Sequence, residues 1–257
     1  MQGTRLLTGL GRRIVVAGVF LLAGGVASGA ELPLAIPAGA RIGIIDMLPP
    51  DVTHFHIGAT AVKSFQRTYR ASWTTADVID EPLIWSLTNA GLEPVSLQAS
   101  DLLRRQKGDW IVKNPKAGKL SRACLEEMSR VMEEGKLSAV ILIAPGPNVD
   151  PETVEGDRLK KLPDYIQGWG FSTSDEPGGL TKPVVFNFTQ MLLVGKTTDG
   201  VRLEHREWGG SYIYDWPNFT VPPDVKAIPD TEVAKLRPVI TDVMKRQIAR
   251  LVPHLQP

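Results

Sequence analysis

The stretch S-A-V-I-L-I-A-P, residues 138–145, decides how the chain is read. It is an unbroken apolar run rich in β-branched residues, and the turn-forming Pro145-Gly146-Pro147 follows at once. Such a run predicts a strand covered on both faces, in the middle of a sheet with helices packed over it. Upstream, Leu120 to Gly135 has the period of an amphipathic helix, with Cys124, Met128, Val131 and Met132 at i, i+4, i+7 and i+8. Downstream, 146–164 is long and polar. The end of a central strand is where sheets of this kind usually hold ligands.

Working outward, Arg41 to Met47 reads as the first core strand, and Val52 to Tyr69 as a strand or a hairpin. Asp80-Glu81-Pro82 reads as a helix start with Asp80 as N-cap, and Asn89-Ala90-Gly91 as its stop. Leu92 to Gln98 is the next strand, and Ser100-Asp101 caps a short helix. Beyond the polar connection come a glycine-punctuated strand, Tyr165 to Ser172, and a long strand, Pro183 to Lys196. Asp199-Gly200 marks a tight hairpin into a return strand, Val201 to Tyr214. A final helix, Thr231 to Leu251, has an apolar stripe broken only by Gln247, and Pro238 either kinks it or marks its true start. This order predicts the α/β class: a mixed sheet, parallel in its first half and antiparallel in its hairpin half, with helices packed on it.

The first thirty residues have a different character. Arg5, Arg12 and Arg13 form a basic segment, Ile14 to Val26 is apolar, and Ser28-Gly29-Ala30 has the small residues of a cleavage site. This pattern predicts a secretory signal peptide over 1–30, cut after Ala30, and a single domain over 31–257 in the periplasm or outside the cell. No other segment is long and apolar enough to suggest a membrane span. The leader holds three arginines and no acid, so its removal takes 29 basic and 28 acidic residues to 26 and 28. A net charge near −2 argues against nucleic acid as a partner. The one cysteine, Cys124, has no partner for an internal disulfide and reads as a buried apolar residue.

The region around Gly195, the turn Thr198-Asp199-Gly200 and the following Val201-Arg202-Leu203 resemble the hairpin of certain envelope domains. These are domains of the type in the N-terminal part of the Tol translocation protein and in the curli-secretion lipoprotein. The resemblance runs over roughly 120–251, with a helix, a buried strand, the hairpin and a C-terminal helix in the same order. Leu162-Pro163-Asp164 and Gly168-Trp169-Gly170-Phe171, with the long strand and hairpin after them, resemble a class of secreted bacterial proteins that share a signal peptide. These resemblances imply compartment and architecture, not an activity.

Few residues suggest chemistry. His54 and His56 stand at i and i+2, so on a strand they share a face and could hold one divalent metal, with Asp46, Asp51 or His205 as third ligand. The competing reading is a pair of histidines on a solvent face near a sheet edge, with no cofactor. Glu204-His205-Arg206-Glu207 offers an acid–base dyad through His205 or a charged strand face. Trp208 opens an aromatic stretch in which Tyr212, Tyr214 and Trp216 fall at i, i+2 and i+4, a pattern that predicts either a contact surface or a cover over the sheet edge or the core below the C-terminal helix. The sequence is therefore read as an exported, non-catalytic binding or assembly module whose partner is an envelope protein or a cell-wall component. The alternative is an exported metal-assisted hydrolase using His54 and His56.

Overall fold

The apolar run at 139–145 becomes the strand on which two layers of helix rest. In the computed structural model, which describes residues 34, 36–105, 120–146, 168–175, 181–209, 214–216 and 218–255, this strand is β5, Ala139–Pro145. All the described residues fall within one compact unit, Pro33–Pro257. The expected leader, 1–30, lies outside the described residues.

Four strands precede β5: β1 (Arg41–Asp46), β2 (Val52–Ile57), β3 (Phe65–Tyr69) and β4 (Glu93–Leu97). Four follow it: β6 (Gly168–Asp175), β7 (Thr181–Thr197), β8 (Gly200–Trp208) and β9 (Tyr214–Asp215). Together they form one mixed sheet in the order β3-β2-β6-β7-β5-β1-β4, with β8 and β9 also on β7. β1 runs parallel to β4 and β5, and β2 parallel to β6; β7 is antiparallel to all four of its partners. The α/β reading therefore holds.

β7 organises the sheet through its length of 17 residues. Its first half pairs with β6 and β9, and its second half with β5 and β8. Two ladders thus meet end to end along one strand, and the C-terminal ends of β1 and β5 lie where one ladder gives way to the other.

Alternation on β5 divides the core. Ala139, Ile141 and Ile143 join the cluster under the helices α1 (Glu81–Asn89) and α5 (Leu236–Leu251). Val140 and Leu142 join Cys124, Met128 and Met132 of the helix α3 (Arg122–Gly135). Each fully buried aliphatic side chain contributes roughly 1.5–3 kcal/mol. Burial pushes the Cys124 thiol up to about 12, so it is the inert core residue expected.

Helix ends are set mostly by the signals in the sequence. Ser121 caps α3 by accepting the Cys124 N–H at 3.3 Å. Gly91, with φ 76°, ends α1, and the Leu92 N–H returns to the Leu87 carbonyl. The short helix α2 is Asp101–Arg105. One expectation needs correction: Asp80 is not an N-cap. Its backbone is helical, at the end of a π-helical turn, Ala76–Asp80, that leads into α1. The cap lies earlier, where Asp77 accepts the Thr74 N–H at 2.6 Å and the Thr74 hydroxyl accepts the Asp77 N–H at 3.4 Å.

At the C-terminus the helix divides into α4 (Asp230–Ala234) and α5, which places Pro238 in the first turn of α5, where its missing N–H costs nothing. The return strand is shorter than expected, since β8 ends at Trp208. Among the described residues no helix is long and apolar enough to cross a membrane.

Candidate functional site

β2 lies between β3 and β6, and Phe65 and Phe171 of those strands pack over its histidines. His54 and His56 do share a face, but both are buried, 0% and 3% exposed. The expected solvent-facing pair is therefore corrected. Their partner is a single hydroxyl: Thr173 Oγ1 of β6 lies 2.8 Å from His54 Nε2 and 2.8 Å from His56 Nδ1. The other nitrogen of His56, Nε2, lies 3.5 Å from Asp175 Oδ1.

One direction of donation satisfies this chain. His54 Nε2–H donates to Thr173, the Thr173 hydroxyl donates to His56 Nδ1, and His56 Nε2–H faces the Asp175 carboxylate. The reverse direction would bury the His54 Nδ1–H, which has no partner, and turn a lone pair of His56 toward a carboxylate. Aromatic rings close around the chain. Phe171 stacks on His54 with centroids 4.4 Å apart, and Phe65 on His56 at 4.9 Å. Burial, reinforced by His56 and Arg67, brings the His54 imidazole down to about 3. Burial also lowers His56, against the pull of Asp175.

His205 belongs elsewhere. It lies opposite Leu193 on β7 and stacks on His254 with centroids 3.5 Å apart. Its Nε2 is 3.3 Å from Glu207, whose other carboxylate oxygen accepts from Arg250 Nε at 2.5 Å. No three His, Cys, Asp or Glu side chains among the described residues are grouped to hold a metal ion. His54, His56 and His205 are thus not brought together. Asp46, a candidate third ligand, instead accepts the Leu48 N–H at 2.8 Å.

The aromatic stretch also divides. Trp216 is 4% exposed, against Phe171 and Phe219 at 4.8 and 4.4 Å, so its expected place on a contact surface is corrected to the core. The cause is β9, whose pairing with the first half of β7 brings the chain back onto the sheet. Tyr212 and the side chain of Tyr214 lie outside the described residues. Trp208 is half-buried beneath Arg206, whose guanidinium carbon is 3.4 Å from the ring centroid.

Two groupings appear that the sequence reading did not single out. Asp46 at the end of β1 and Asp80 before α1 repel one another while partly buried. Burial and then Asp46 raise Asp80 to about 6, and burial raises Asp46 as well. The second is a groove of about 680 Å³ between α1 and α5, whose lining includes Trp85, Pro82, Asp77, Glu81, Arg237 and Lys245. Trp85 is 69% exposed. Its signal was legible: Leu83 and Leu87 define the buried side of α1, and a tryptophan between them at i+2 must face outward.

No protein-family model and no curated protein matches the chain. Among solved structures, it is similar to a hypothetical protein from Chlamydia trachomatis, with 8% sequence identity and a TM-score of 0.39 over 85% of this chain and 98% of that one.

Proposed function

We propose that the protein is an exported component of the cell envelope that works by binding, and that its partner, an envelope protein or a cell-wall component, docks at the α1–α5 groove. The observation that carries this reading is Trp85, a large aromatic 69% exposed on the wall of that groove. Tryptophan gives much contact area for few frozen rotamers, and it is the residue type most enriched in binding hot spots. Acidic Asp77 and Glu81 come from the α1 side and basic Arg237 and Lys245 from α5, so charges of both signs border the ring. The pattern of residues 1–30 and the resemblance to secreted bacterial proteins support export. Less favours the hydrolase alternative, because three of the four imidazole nitrogens it relies on are engaged, His54 Nε2 and His56 Nδ1 with Thr173 and His56 Nε2 toward Asp175.

The test is in-cell cross-linking of the tagged protein with mass spectrometry of what it captures, alongside fractionation of the cells. A specific envelope component should be recovered and should be lost on Trp85→Ala, with the melting temperature unchanged. Capture indifferent to Trp85→Ala would remove the groove from the reading, and full-length protein retained in the cytoplasm would remove export.

A further inference from the structure

The side of β8 that faces α3 carries a cation that meets no acid among the described residues. Arg206 lies opposite Leu192, one of the residues packed with Met128 and Cys124 of α3. Its Nε donates to Gln190 Oε1 at 3.1 Å, and Gln190 Nε2 donates to the carbonyl oxygen of Pro145, the last residue of β5, at 3.1 Å. Trp208 covers the guanidinium at 3.4 Å. Arg206 Nη1 is fully buried and has no acceptor among the described residues.

Other arginines show what is missing. Arg130, Arg202 and Arg250 each meet a glutamate, at 2.8, 2.7 and 2.5 Å. Among the described residues Arg206 has no carboxylate within reach. Burial brings it down to about 10, the direction expected of a cation stripped of water with no counter-charge beside it among the described residues. A guanidinium in that state is costly, and an acceptor for its free edge would relieve the cost. Its orientation is already fixed, because Nε is held by Gln190 and one face lies on Trp208. The place is also the end of β5, the strand end at which α/β sheets hold ligands.

We propose that Arg206, held by Gln190 and Trp208 at the end of β5, binds the carboxylate group of a small organic acid. The planar fork of a guanidinium matches a carboxylate with two parallel hydrogen bonds. A single cation with a neutral amide beside it balances one negative charge, whereas a phosphate dianion would keep one unbalanced. This site is separate from the α1–α5 groove, so the two stand or fall independently.

The experiment titrates the protein with acetate, and separately with inorganic phosphate, at constant ionic strength. The Arg206 Nε–H resonance and the melting temperature are followed. Acetate should shift both in a saturable way, more strongly than phosphate. Arg206→Lys keeps the charge but not the fork and should weaken acetate by about tenfold or more; Gln190→Leu, which frees the guanidinium to turn, should weaken it as well. Arg206→Gln should abolish the effect, with circular dichroism confirming that the variant folds. No saturable response to acetate, an equal response in Arg206→Lys, or tighter binding of phosphate would each overturn the proposal.

Discussion

The two ladders that share β7 are built from different material. In the first, β5 is aliphatic from Ala139 to Ala144, and alternate residues enter two apolar clusters. In the second, β2 and β6 bury His54, His56, Ser172 and Thr173 among aromatic rings. Burial of aliphatic surface is non-directional, so the first ladder should accept any residue of similar volume. Buried imidazoles and hydroxyls must meet partners at set distances, so the second should accept almost none. The protein thus has one half held by area and one held by geometry, and the two should differ in how they fail.

The largest contrast should come from acid. His54 is neutral in the folded protein and falls to about 3, whereas an exposed imidazole titrates near 6.5. Stability from this group is complete above pH 6.5 and is lost as pH falls toward 3, because only the unfolded chain takes up the proton. The slope approaches about 1.4 kcal/mol per pH unit for one group. NMR should show the His54 ring unprotonated from pH 8 down to 5; titration of that ring near 6.5 would break the contrast. Next in size is Thr173→Val, which leaves two imidazoles without their shared hydroxyl and should cost about 2–3 kcal/mol in urea unfolding. Ile141→Val in the aliphatic ladder should cost about 1 kcal/mol. Equal costs for the two would mean that the halves are not distinct.

A smaller effect of opposite sign belongs to Asp80. Its folded value is raised to about 6 from an ordinary 3.8, so its stability is complete below 3.8 and lost as pH rises to 6. Asp80→Asn should therefore stabilise the protein at pH 7 by about 1 kcal/mol, allowing for solvent screening, and add nothing below about pH 4. A gain that persists at low pH would point to packing instead. Smallest of all, Cys124 should not react with a thiol reagent at pH 8 until the protein unfolds, which makes it a reporter for the aliphatic half.

The same contrast explains what the sequence could disclose. β5, α3 and the Asp199-Gly200 turn were legible because each is specified locally, by an apolar run, a helical period and a turn dipeptide. The pairing of His54 with His56 was legible too, since i and i+2 share a face. Their burial was not, because it depends on Thr173 and Asp175, more than a hundred residues away in the chain. Gln247 read as a flaw in an apolar stripe. It is fully buried, accepting from Asn187 and Thr189 and donating to the Glu207 carbonyl, and so it pins α5 to β7 and β8. Gly170, which punctuates β6, owes its place to a neighbour the sequence does not reveal. A Cβ at Gly170 would run into the carbonyl oxygen of Thr53 on β2. Arg206 escaped notice because what sets it apart is a missing acid, and a sequence does not show which charges fail to meet.

β7 has a bearing on truncation as well as on packing. A strand of 17 residues spans roughly 55 Å when extended, and every residue of one ladder is continuous with the other through it. A gene fragment ending within β7 would carry one ladder with a truncated spine and leave the other without its central pairing. The two halves, unlike in chemistry, therefore depend on one unbroken stretch of chain.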